Sequence, residues 1–217
     1  MSIRTLTAAA IAGPLLFAAA VLLQDILQYD YLVANGDDPW TTSPVSVNAL
    51  GPYGWIQILN FGVLGLSVLA LAVAAHRGIN GASRSVVGPA FIGLWGIALL
   101  MAMFPIEREV RSFNGYMHGI SFVLVSFALI PMYLFMWRRL RRSPGWEAFG
   151  RYSLVMGLLT FPLEFASIPL QKIVPFPWFY LWLGAQLLWC VLLGLRLWHT
   201  ASHANQAELP VGGLSAS

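Results

Sequence analysis

Asp25, Gln57, Asn60, His118, Glu164 and Gln186 are polar residues set within or at the edges of long apolar runs. Three roles are open to such a set. The six could line a polar pocket that holds a small amphiphile or a lipid headgroup. His118 with Asp25 and Glu164 could instead form an intramembrane lipid hydrolase, with one imidazole and two carboxyls serving a metal or a proton. Or the polar groups satisfy one another, and the chain is a structural or assembly partner without a ligand. Glu164 is the sharpest member. It lies in "TFPLEFASIP", between Pro162 and Pro169. A carboxyl group in hydrocarbon is costly unless it is paired, solvated or protonated. Pro162 has no N–H, so it also frees the carbonyl of Leu158 from its helical bond.

Catalytic chemistry is poorly furnished by comparison. His76, His199 and His203 lie at the opposite ends of their segments from His118, so a metal beside His118 has one imidazole to bind. Ser46 with His118 and Asp25 or Glu107 has no motif spacing, and no nucleophile elbow is present. The sequence has no phosphate-binding glycine loop and no haem-like pair of buried histidines. Cys190 is the single cysteine, which excludes an internal disulfide and a cysteine zinc site. No metal and no cofactor is expected, and the pocket is the leading function.

The elements that position these residues follow from composition. Of 217 residues, 58% are hydrophobic and 10% charged, and the mean hydropathy is +0.71. A soluble domain carries about 25% charged residues, so the solvent for most of this chain is a bilayer. A membrane helix needs about 20 apolar residues. Six segments qualify: 6–27, 55–75, 86–104, 118–137, 153–170 and 178–198. The expected fold is all-α, a polytopic six-transmembrane-helix bundle forming one domain over 1–200, followed by a disordered cytoplasmic tail, 201–217. A cleaved signal peptide fits the first segment poorly, because the run is long and ends in Gln24 and Asp25.

Basic residues set the threading. Arg108, Arg111 and Lys172 fall in the odd-numbered gaps, and the other nine of the twelve fall in the even gaps or near the termini, with "WRRLRR" the densest cluster. Cytoplasmic loops are enriched in Lys and Arg. Both termini are therefore expected in the cytoplasm of a multi-pass cell-membrane protein. Nucleic-acid binding is not expected, since basic clusters beside apolar segments are orientation signals. Trp55, Trp178 and Trp182 at one boundary and Trp137 and Trp198 at the other read as an aromatic belt. Gly62 with Gly65 and Gly93 with Gly96 offer close helix packing.

The one long loop, 28–54, is extracytoplasmic in this threading. Its density of proline, glycine and aromatic residues predicts an ordered lid, with Trp40, Pro44, Val45 and Tyr53 packed on the helix ends. Gln57 and Asn60 follow, three residues apart and so on one helical face. They either join a site or bond to neighbours at the helix entrance. "SPVSVNALGPYGWIQILNF" (43–61), "MFPIE" followed by His118-Gly119, and "RYSLVMGLL" (151–159) together resemble the domain of unknown function 998 family of prokaryotic integral membrane proteins. The resemblance covers nearly the whole chain. It implies a six-helix bundle and no particular activity. In the six-helix threading, all six polar residues fall in the outer half of the membrane, which predicts one convergent site.

Overall fold

Apolar runs cannot leave backbone N–H and C=O groups bare in lipid, so they fold into helices that bond internally. In the computed structural model, which describes residues 1–41, 43–79, 85–170, 174 and 176–207, every regular element is helical. In chain order these are α1 (Ile3–Leu27), α2 (Tyr29–Ala34), a 3₁₀ helix (Val45–Leu50), α3 (Gly54–Gly78), α4 (Val87–Met101), α5 (Phe113–Leu140), α6 (Glu147–Leu170) and α7 (Trp178–Ala207). Four are long and apolar enough to cross a membrane: α1, α3, α5 and the Trp178–Ser202 part of α7. α4 is apolar but has 15 residues.

Except for α4, which falls short of its expected 86–104 at both ends, the helices overrun the apolar segments. α5 starts at Phe113, five residues before its apolar run, because the Ser112 hydroxyl accepts from the Asn114 N–H and caps it. α6 starts at Glu147 and α7 continues to Ala207, where the sequence predicts tail from 201. Hydropathy marks the slab a helix crosses, and helical bonding continues into polar residues until a cap or breaker stops it. Residues 208–217 of the predicted tail, with Arg84 and Lys172, lie outside the described residues.

The six longer helices form a ring in chain order. α3 packs between α1 and α4, α5 between α4 and α6, and α7 closes the ring on α1, with the thinnest contact between α6 and α7. Small residues let the helices approach. At the α3–α4 crossing, a Cβ on Gly65 would lie 2.9 Å from the Gly96 carbonyl oxygen, and one on Gly96 would lie 3.0 Å from the Gly65 carbonyl oxygen. Gly62 faces Met103, and Gly93 has room for a Cβ.

The ring has two distinct ends. Arg4 lies over Trp198, and Arg196 lies over Trp146 and donates to the Gly145 carbonyl. This basic end gathers the start of α1 with the end of α7, and the end of α7 with the start of α6. Arg139, expected to be an orientation signal, is 3% exposed. Its guanidinium donates to the carbonyls of Ser85 (2.8 Å), Ile79 (3.0 Å) and His76 (3.1 Å). It thereby joins α5 to the end of α3 and the approach to α4, supplying donors to helix-end carbonyls that lack them.

The opposite end carries the lead-in before α3. Asp25 is fully buried. It accepts from Asn48 Nδ2 at 2.7 Å and from the Tyr180 hydroxyl. Gln28 Nε2 donates to the Asn48 carbonyl at 2.9 Å, and Trp40 stacks on Tyr180 with centroids 5.9 Å apart. These contacts bind the 3₁₀ helix to α1 and α7. Val45 is buried and Pro44 half-buried, but Tyr53, expected to pack, is 44% exposed.

Candidate functional site

A ring of helices with small residues at its crossings and larger ones inside leaves a central space. The cavity has a volume of about 450 Å³ and takes wall residues from all six ring helices. α5 gives Gly115, His118, Ser121 and Val125, spaced three, three and four apart along one helical face. α7 gives Phe179, Trp182, Leu183 and Gln186 by the same spacing rule. Phe17, Phe61, Leu64, Trp95 and Leu99 make the wall of α1, α3 and α4 predominantly apolar, and Glu164 comes from α6. Pro44, Val45 and Ser46 of the lead-in complete it. The bent passage before α3 is thus part of the wall as well as a connector.

The six polar residues divide into two groups. His118, Glu164 and Gln186 line the cavity. His118 Nδ1 lies 2.8 Å from the Phe104 carbonyl oxygen, and its ring meets Phe61 edge-on. Glu164 is 7% exposed and accepts from the Ser126 hydroxyl across the α5–α6 contact. Gln186 is 1% exposed; it accepts from the Tyr133 hydroxyl and donates to Thr160 Oγ1 at 3.4 Å.

Asp25, Gln57 and Asn60 are not among the described residues lining this cavity, and their side chains bond elsewhere. Asp25 is spent on the lead-in. Gln57 Oε1 accepts from Gln24 Nε2 at 3.0 Å and from Asn60 Nδ2 at 3.4 Å, and Asn60 Nδ2 also donates to the Phe17 carbonyl at 3.1 Å. The shared face of Gln57 and Asn60 therefore meets α1, where polar groups in lipid find partners. The histidine and two carboxyls of the hydrolase alternative are likewise not assembled, because Asp25 is held by Asn48 and Tyr180 away from the cavity wall. Trp182, expected in the aromatic belt, is 4% exposed and lines the cavity.

The mouth of the cavity carries a fixed anion. Glu107 accepts from the Ser112 hydroxyl and from the N–H groups of Ser112 (3.1 Å) and Arg111 (3.0 Å). The Ser112 hydroxyl first, then the two N–H groups, hold its carboxyl below the usual glutamate value. Sequence reasoning missed Ser126, Tyr133 and Tyr180 as partners. The signal for Ser126 was present: it falls two turns after His118 in a helix too apolar to leave a hydroxyl facing lipid.

These features define an all-helical membrane protein with an internal, mostly apolar pocket. The chain belongs to a family described as protein of unknown function (DUF998), whose family model matches residues 11–196. No curated protein and no solved structure matches the chain.

Proposed function

We propose that this protein binds a small amphiphile in the central cavity, as a six-span cell-membrane protein with both termini in the cytoplasm. The single observation that carries the reading is the cavity: about 450 Å³, walled by all six ring helices and the lead-in, apolar along most of its length and polar at His118, Glu164 and Gln186. Ligand pockets are typically concave, mostly apolar spaces of about 300–1,000 Å³ with a few placed polar groups. The orientation is supported by the basic end of the ring, where arginines engage Trp198, Trp146 and the α3 carbonyls. α4, at about 22 Å of helix, is the shortest proposed span. Its turns at 102–104 extend it toward the far boundary.

Mass spectrometry of molecules that copurify with the protein tests the binding. Wild type retains an amphiphile, and Ala102→Phe, which places a ring in the cavity, loses it while the protein stays folded. Absence of any bound amphiphile from wild type, or equal retention by Ala102→Phe, refutes the reading. Terminal reporters active only outside the cell refute the orientation.

A further inference from the structure

The kind of amphiphile can be read from the donors and acceptors at the wall, given the pocket reading above. His118 Nδ1 sits 2.8 Å from the carbonyl oxygen of Phe104. A carbonyl oxygen only accepts, so Nδ1 carries the proton, and Nε2 of the neutral ring is an acceptor. Among the described residues Nε2 has no partner. Ser46 lines the same cavity from the lead-in, and its hydroxyl has no partner among the described residues either. His118 is held by the carbonyl that follows α4, and Ser46 lies in the 3₁₀ helix, so both belong to the end of the cavity nearest the lead-in.

Charge narrows the choice. No lysine or arginine is among the described residues that line the cavity, whereas Glu107 and Glu164 both are. Glu107 is held ionised at the mouth by three donors. A carboxylate or phosphate head entering past Glu107 meets a like charge, and no described lysine or arginine lines the wall to pair with it. Shape narrows it further. The α5 wall from Gly115 to Val125 runs about 15 Å. A volume of about 450 Å³ along that length suits a ligand that lies extended beside the helices.

We propose that the ligand is an amphiphile with an uncharged, hydroxyl-bearing head, of the class of long-chain alcohols and monoacylglycerols, whose hydroxyl donates to His118 Nε2 beside Ser46. Its chain runs between Phe61, Leu64, Trp95 and Val125. Binding at this site reads the hydroxyl as a donor, so capping the hydroxyl removes recognition and leaves chain burial intact.

The test measures binding of three probes with the same oleoyl chain to delipidated protein in micelles: the monoacylglycerol, its hydroxyl-methylated analogue and oleic acid at neutral pH. The monoacylglycerol is expected to bind about tenfold more tightly than either of the others, the value of one well-made hydrogen bond. His118→Asn keeps an N–H donor for the Phe104 carbonyl and removes the Nε2 acceptor. It should weaken monoacylglycerol binding about tenfold, leave the methylated analogue unchanged and leave the melting temperature unchanged. Oleic acid binding as tightly as the monoacylglycerol, or no discrimination between capped and free hydroxyls by wild type, overturns the inference while the pocket stands. An equal loss of both esters in His118→Asn also overturns it. Binding of none of the three probes overturns both this inference and the pocket reading.

Discussion

Replacing Gly65 and Gly96 by alanine, singly and together, probes the α3–α4 crossing on which the ring depends. At each position the new methyl meets the backbone of the other helix, at 2.9 Å from the Gly96 carbonyl oxygen in one case and 3.0 Å from the Gly65 carbonyl oxygen in the other. Ordinary contact begins near 3.4 Å, so the helices must part by a few tenths of an ångström. A carbonyl fixed in a helix cannot rotate aside as a side chain can. Overpacking of this kind costs about 1–3 kcal/mol, so each single substitution should cost about 2 kcal/mol. The same separation admits either methyl. The double variant should therefore cost about 2–3 kcal/mol rather than the additive 4, a coupling of about 1–2 kcal/mol. Gly93→Ala, where a Cβ meets only Ala72 at 3.9 Å, serves as the silent control. Equilibrium unfolding of the purified protein in mixed micelles measures all four variants. Single substitutions costing less than about 0.5 kcal/mol, or a strictly additive double variant, would refute the reasoning.

Arg139→Gln removes most of a fork that serves three carbonyls, and should cost about 3 kcal/mol or more, read as a lower melting temperature. Arg139→Lys should restore less than half, since an ammonium lacks the planar fork. Asp25→Leu leaves Asn48 and Tyr180 without their acceptor; hydrogen exchange should quicken in residues 43–54, while the basic end of the ring is unaffected. Glu107 has its pKa lowered in the fold, chiefly by the Ser112 hydroxyl. Its contribution to stability is therefore fully present above the ordinary glutamate range and is lost as pH falls through the lowered value. Ser112→Ala should flatten the acid limb of a melting-temperature profile, and an unchanged limb contradicts this assignment.

The helical segments were legible because hydropathy and length decide them, and α1 and α3 end within three residues of the predicted bounds. Position along each helix axis was legible for the same reason, since rise per residue is fixed. Rotation about each helix axis was not. Gln57 lies three residues before Asn60 whichever neighbour that face meets, and only packing shows that it meets α1. The pocket face of α5 was present in the sequence as Gly115, His118, Ser121 and Val125, but an amphipathic stripe is faint when lipid-facing and cavity-facing positions are both apolar. The burial of Arg139 was not legible, because a charge within "RRLRR" has the same signature whether it faces water or a helix end.

The order of helices around the ring bears on how the protein is made. α7 is the last ring helix to leave the ribosome, and it both closes on α1 and supplies Phe179, Trp182, Leu183 and Gln186 to the cavity wall. The Tyr180 hydroxyl that fastens the lead-in through Asp25 arrives with it. During synthesis, the earlier helices can pair as they enter the bilayer while their cavity-facing side chains remain open to lipid along the missing seam. The cavity wall is therefore incomplete until α7 docks on α1, and a defect in that last helix should disturb the cavity and the lead-in together.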